Sequence, residues 1–189
     1  LVASGAPDGR DMVANGGFES DFRNWSVGEG MQEGLSGWNR VLGLALDHSV
    51  YLEGKRSLRI DFCGGQDVNF FHLTQEIPAQ GSCEYVVRYF IKTQDITSHE
   101  GPGIAVRDPD LPITQFYAVT PKPMRLTGVH DWTPVEFSFQ TPARTKRLRL
   151  IVRRDGSGPE TYLPARFGPI GGSVWFDRIQ VIERQRAAS

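Results

Sequence analysis

The chain has 189 residues, with 11% aromatic and 23% charged side chains, 21 glycines and 12 prolines. That length buries a sizeable core in one domain, and the turn-rich composition suits an all-β domain better than a helical bundle. With 21 basic against 22 acidic residues the formal charge is -1, so no net field favours nucleic acid or an anionic membrane, and a neutral ligand such as a sugar suits the balance.

No apolar run is long enough to span a bilayer, so no membrane insertion is expected, and no charged start followed by an apolar middle reads as a signal peptide. The first residue is Leu1 rather than Met, which suggests a processed protein or a domain excised from a larger chain. Residues 1–12 are then a linker, 13–184 the domain and 185–189 a polar tail.

In chain order, short strands are expected at Phe18 and over 38–46. The stretch Ser57-Leu58-Arg59-Ile60-Asp61-Phe62 puts Leu58, Ile60 and Phe62 on one face and Arg59 and Asp61 on the other, the pattern of a half-buried antiparallel strand. A mixed strand follows over 68–77, with Asn69, Phe71, Leu73 and Gln75 on one face and Val68, Phe70, His72 and Thr74 on the other. Alternation returns at 85–92, at 135–139 and at 147–153. Shorter strands are expected at 103–107, 116–119, 174–176 and 179–182.

Arg88, Lys92, Arg149 and Arg153 point away from the core in this reading, as a basic wall against Asp61 and Glu136 or as a cross-strand charge ladder. The basic stretch from 144 to 154 alternates with apolar residues, which marks the solvated face of a strand rather than a phosphate-binding patch. Turn chemistry at Gly54, Gly64-Gly65, Gly81, Gly128 and Gly156 separates the strands. No window carries a capped helix of 3.6-residue period. The fold class expected is an all-β antiparallel sandwich, a jelly roll of about eight to ten strands. Cys63 and Cys83 are compatible with one disulfide in an exported protein or with two thiols in a reduced one.

Asn15-Gly16-Gly17-Phe18-Glu19 and Val174-Trp175-Phe176-Asp177 each put a carboxylate after an apolar residue. Neighbouring first and last strands would bring two hard oxygen ligands together as half of a calcium site.

The order of these pieces resembles the carbohydrate-binding-module superfamily with a galactose-binding-like jelly roll, of the family 4, 9 and 22 type. The resemblance rests on Asn15 to Glu19 with Trp25, on Gly54-Lys55-Arg56-Ser57-Leu58-Arg59-Ile60, on the Tyr85-led strand, on Trp132 before an apolar strand, and on Trp175-Phe176-Asp177. Arg178 stands where the family has a second aspartate. Gly37-Trp38-Asn39-Arg40 with residues 54–63 also resembles the branch attached to bacterial tetratricopeptide-repeat proteins. The resemblance implies a structural calcium held by the side chains of Glu19 and Asp177 and the backbone carbonyl of Lys55, with Glu53 as a further carboxylate. It also implies an extracytoplasmic location: secreted, periplasmic or in the cell envelope.

A sugar site needs aromatic faces and planar polar groups. Trp38, Arg40, Asn69, His72 and Arg153 are the candidates for a shallow glycan or polysaccharide site. Catalysis is not expected. There is no Gly-x-Ser-x-Gly elbow, no phosphate loop, no His-Glu-x-x-His pair and no carboxylate run along one strand, and His48, His72, His99 and His130 are dispersed. The alternative is an adaptor or structural module using loops 94–111 and 121–131 against protein. Either role implies the remainder of a larger parent chain as partner.

Overall fold

The computed structural model describes residues 9–28, 42–65, 67–68, 70–154 and 168–184. Among these residues ten strands run β1 (Ser26–Val27), β2 (Leu42–Asp47), β3 (Ser57–Cys63), β4 (Phe70–Pro78), β5 (Glu84–Ile96), β6 (Gly103–Arg107), β7 (Tyr117–Val119), β8 (Gly128–Gln140), β9 (Arg147–Arg154) and β10 (Gly171–Glu183). One 3-10 turn, Lys122–Met124, is the sole helical element among the described residues. Among the described residues no helix is long and apolar enough to cross a membrane.

Two five-stranded antiparallel sheets form, ordered β1-β4-β9-β6-β7 and β2-β3-β10-β5-β8. We call them the first and second sheet. Alternation decides what faces inward. Leu58, Ile60 and Phe62 of β3, Tyr85, Val87, Tyr89 and Ile91 of β5, and Leu148, Leu150 and Val152 of β9 enter one continuous core. Each such side chain contributes roughly 1.5–3 kcal/mol when fully buried. A polar tie joins the sheets inside it: the Tyr89 hydroxyl of β5 meets Thr120 Oγ1, just past β7, at 2.9 Å. Burial pushes the Tyr89 phenol well above its ordinary range, so it remains a neutral hydrogen-bonding group.

Several expectations change. Phe18 is not in a strand. It is fully buried at φ 59° within a turn-rich segment. The strands expected at 174–176 and 179–182 are one strand, β10, with a bulge between Asp177 and Gln180 where Arg178 takes φ 52°. In β4 the register shifts between Phe70 and Leu73, so both enter the core. Strict alternation had put them on opposite faces. The extra residue of such a bulge reverses the in-out sequence beyond it. Cys63 and Cys83 are both free thiols.

Arg154 closes one end of the sandwich and is fully buried. Its guanidinium donates to the carbonyls of Val68 at 2.6 Å, Glu100 at 3.0 Å and Gly168 at 2.9 Å, and to Asp67 Oδ1 at 3.1 Å. Burial lowers its pKa, opposed by Asp67 and Glu100. One planar fork thus ties three separate loops together.

Candidate functional site

The Asn15 to Glu19 segment is a loop that folds over the β10 bulge. Asn15 organises it. Its side-chain nitrogen donates to the carbonyls of Asp21 and Arg23 at 2.8 and 3.0 Å, and its oxygen accepts from the Ser20 N–H at 3.0 Å. Trp25 Nε1 donates to the Asn15 carbonyl at 3.0 Å, and its ring stacks on Phe18 with centroids 5.2 Å apart. Gln75 of β4 pins the loop from below by exchanging two hydrogen bonds with Ala14. At Gly16 the backbone lies against β10: the Ile179 N–H donates to the Gly16 carbonyl at 2.9 Å, and a Cβ there would sit 1.9 Å from the Ile179 carbonyl oxygen. Only glycine permits that approach.

This loop brings Glu19 beside Asp177 of β10 in one cleft of about 310 Å³, whose lining also includes Asp11, Glu53, Gly54 and Arg178. Glu19 Oε1 accepts the N–H groups of Lys55 and Arg56 at 2.9 and 3.2 Å. Gly54, at φ 78°, completes that cradle, since a Cβ there would lie 2.2 Å from the same oxygen. Asp177 is fully buried. Its Oδ2 accepts the N–H groups of Leu52 and Glu53 at 2.9 and 3.2 Å, and its Oδ1 that of Arg178 at 2.7 Å. Burial raises the Asp177 pKa, the three N–H groups oppose that, and the nearby Glu19 charge adds to the rise.

Glu19 and Asp177 line one cleft, and each carboxylate keeps lone pairs beyond those given to N–H donors. Glu53 is differently engaged, with its Oε2 3.0 Å from Arg178 Nη1. Lys55 contributes its N–H to Glu19. No cluster of three or more His, Cys, Asp or Glu side chains with metal-binding geometry occurs among the described residues, so a cation here would take two carboxylates at most and fill its shell from carbonyls and water. The two carboxylates meet without neighbouring first and last strands: β10 is central, flanked by β3 and β5, and Glu19 arrives on the loop.

The glycan-site candidates divide. Trp38, Arg40 and Asn69 lie outside the described residues, and for His72 only its position in β4 is described. Arg153 lies on the outward face of the first sheet, its guanidinium 5.5 Å from the Tyr117 ring centroid. Cross-strand register builds that face. One row runs Ser26, Thr74, Ile151, Ala105 and Val119, and the next runs Glu76, Arg149, Arg107 and Tyr117. Beside β1 an open cleft of about 540 Å³ is lined by Asn24, Ser26, Thr74, Gln75, Glu76 and Arg149. Glu76 accepts from Arg149 Nη2 at 2.5 Å and Arg147 Nη1 at 3.1 Å, and this holds its carboxyl below the ordinary range. Pairing across β9, β6 and β7 sets Arg107 between Arg149 and Tyr117, a neighbourhood that the sequence alone does not give.

No protein-family model matches the chain. The tRNA(Glu)-specific nuclease WapA of Bacillus subtilis subsp. natto strain BEST195 is 22% identical over 182 residues, which cover 95% of this chain and 7% of the nuclease. The chain thus spans a small fraction of that relative. Among solved structures, a family 16 carbohydrate-binding module superposes with a TM-score of 0.57 at 15% identity, covering 91% of this chain and 99% of the module. The family 61 module TmCBM61, solved with beta-1,4-galactotriose, gives 0.55 at 18% identity over 93% of this chain and 99% of its own. The enzymatically active domain of bacteriophage CBA120 tailspike protein 4 gives 0.60 at 12% identity, over 92% of this chain and 21% of that one. Across nearly its whole length, this chain has the jelly-roll β-sandwich of carbohydrate-binding modules.

Proposed function

We propose that the chain is a non-catalytic glycan-binding module and one part of a longer extracytoplasmic polypeptide. The observation that carries this reading is the superposition, nearly end to end, on entire carbohydrate-binding modules. The outward face of the first sheet supports it with planar guanidinium and carboxylate groups, Arg149 and Glu76, beside the cleft next to β1. Of the sequence candidates, Arg153 belongs to this face. Trp38, Arg40, Asn69 and His72 remain part of the proposal. The match to 7% of a tRNA nuclease is what an accessory module in a long chain would give; whether tetratricopeptide repeats flank it belongs to the same proposal.

A structural calcium on Glu19 and Asp177 completes the reading. The ion would supply positive charge between two carboxylates, one of them fully buried, and would lock the 14–25 loop to β10. Calorimetric titration with calcium, together with thermal denaturation in calcium and in chelator, tests it. The expected result is one bound ion and a melting temperature raised by several degrees, both lost in Glu19→Gln. No bound ion and an unchanged melting temperature would reject the metal.

A broad glycan array with calcium present tests the main reading. Binding to a related set of glycans supports it. Silence across the array, alongside capture of a defined protein partner through the 97–102 or 121–127 loops, replaces it with the adaptor reading.

A further inference from the structure

Strand β10 changes neighbours along its length. From Gly171 to Phe176 it pairs with β3 on one side, and from Ile179 onward the segment before the Asn15 loop takes that side. The Met12 N–H donates to the Val181 carbonyl at 2.8 Å, the Glu183 N–H to the Arg10 carbonyl at 3.3 Å and the Ile179 N–H to the Gly16 carbonyl at 2.9 Å. Asp11 fixes this segment. Its Oδ1 accepts the N–H groups of Val13 and Val181 at 3.0 and 3.2 Å, and its Oδ2 accepts from Gln180 Nε2 at 3.2 Å. Residues 9–16 thus run antiparallel to the last stretch of β10, and a Cβ on Gly9 would sit 2.2 Å from the Glu183 carbonyl oxygen. The other side of that stretch is held by β5, in register from Gln180 opposite Arg88 to Glu183 opposite Tyr85, and Arg184 adds two hydrogen bonds to Glu84.

We infer that residues 9–13 are a strap that peels from β10 when the segments flanking the domain are pulled apart, while the sandwich stays folded. Gly9 lies beside Glu183, so the two flanking segments leave the domain at one end. Tension between them then breaks the bonds of the strap one after another instead of loading them together. The strap yields before β10 because, among the described residues, it is strand-paired on one side only, whereas β10 is also held by β5. Residues 9–11 are exposed and only Met12 and Val13 of the strap pack against the core, the marks of low local stability. Peeling has a stop at Ala14, which exchanges two hydrogen bonds with Gln75, and behind it the fully buried Phe18 stacks on Trp25. Roughly 17 Å of chain is released before that stop. The cleft then loses Asp11 from its wall and keeps Glu19 beside Asp177. Release also uncovers the backbone of Val181 and Glu183 and turns the end of β10 into an open strand edge. The existence of flanking segments rests on the reading of the chain as one part of a longer polypeptide; the geometry of the strap does not.

The test is optical-tweezers stretching of the full chain in calcium-free buffer, with Cys83→Ser so that one thiol remains. Two geometries are compared: handles on the two chain ends, and handles on the exposed thiol of Cys63 and the C-terminal end. Cys63 ends β3 opposite Gly171, where β10 begins, so the second geometry loads β3 against β10 in shear and leaves the strap slack. Stretching from the chain ends should give a small, reversible, low-force step before the sandwich unfolds, and stretching from Cys63 should give none. Native-state hydrogen exchange reads the same opening without force: the Met12, Val13, Val181 and Glu183 amides should exchange as one group, ahead of Val86 and Val87 of β5. Asp11→Ala should speed that group about tenfold and lower the force of the first step, with Val86 and Val87 still protected. Asp11 is exposed, so the fold is not at risk, and Asp11→Asn, which keeps an acceptor oxygen, should restore part of the loss. One unfolding step at the same force in both geometries, or a first step and exchange rates that Asp11→Ala leaves unchanged, overturns the inference. Calcium added afterwards should raise the force of the later step alone, because Glu19 and Asp177 lie behind the stop. An unchanged later step rejects the metal and leaves the strap standing.

Discussion

The outward faces of the two sheets use charge in opposite ways. On the second sheet each cation has a carboxylate beside it: Arg59 with Asp61 at 2.9 Å, Arg88 with Glu136 at 2.5 Å, Lys92 with Asp131 at 2.8 Å and Arg178 with Glu53 at 3.0 Å. Arg59 also lies 5.3 Å over the Trp175 ring, whose Nε1 donates to Asp47 at 2.9 Å. That face is closed on itself. On the first sheet, Arg107 and Arg149 oppose each other and the carboxylates cluster toward Arg147. A surface whose charges are matched has little to offer a ligand, and on the first sheet Arg107 is an arginine with no ion pair to a carboxylate among the described residues. Cross-strand charge pairs of the kind expected from sequence occur on both sheets, Arg88 with Glu136 on the second and Arg149 with Glu76 on the first.

Neighbouring residues of β9 give the sharpest contrast and the largest expected effect. Arg154→Met strands the carbonyls of Val68, Glu100 and Gly168, and at about 1–3 kcal/mol for each buried unsatisfied acceptor it should cost 3 kcal/mol or more, roughly 10 °C in melting temperature for a chain of this size. Arg153→Met should cost under about 1 kcal/mol while abolishing its share of ligand binding. Equal destabilisation in thermal denaturation would erase the distinction between a structural and a recognition arginine.

Two carboxylates on the second sheet should respond to pH with opposite signs. Burial pushes Asp47 up, but hydrogen bonds from Trp175 and from the Ser49 and Val50 N–H groups, with Arg59 adding charge, outweigh it, so its pKa is lowered. Its contribution is present above the unfolded value near 3.8 and is lost as pH falls through the folded one. Trp175→Phe should cost about 1 kcal/mol near neutrality and flatten that acid limb. Asp177 is raised by burial, so the native state holds its proton longer, and without calcium stability should fall as pH rises from about 3.8 through the raised value. Urea denaturation from pH 3 to 7 reads both slopes, and Asp177→Asn should remove the second. A single common slope would show that the two sites are not distinct.

The smallest effect should come from the matched face. Arg88 is partly exposed against Glu136, so Arg88→Gln should shift stability by no more than about 0.5 kcal/mol. A larger loss, read by the same denaturation, would mean the matched face is a cooperative network rather than a set of solvated pairs.

Much of the fold was legible because alternation is local. The apolar faces of 57–62, 85–92 and 147–153 enter the core as expected. Where a residue is inserted, the reading fails: the β4 bulge brings Phe70 and Leu73 to the same side, and the Arg178 bulge hides the continuity of β10. The Asn15 to Glu19 segment was legible as a motif but not as a loop. Its shape depends on Asn15 capping distant carbonyls and on φ values of 54° to 72° at Asn15, Phe18, Asp21 and Asn24, which no periodicity encodes.

The sequence by itself determined which side chains of most strands turn inward and which residues end them, because period-2 geometry and turn chemistry act over a few residues. It also determined that one carboxylate near each end of the domain would be available. Tertiary structure decided which strand lies beside which. It therefore decided that Arg88 and Lys92 join the second sheet and Arg149 and Arg153 the first, that Arg107 faces Arg149, and that Glu19 reaches Asp177 over a loop. The neighbours of a charge are set by pairing between segments far apart in the chain, and that pairing is the part of the fold that local pattern leaves open.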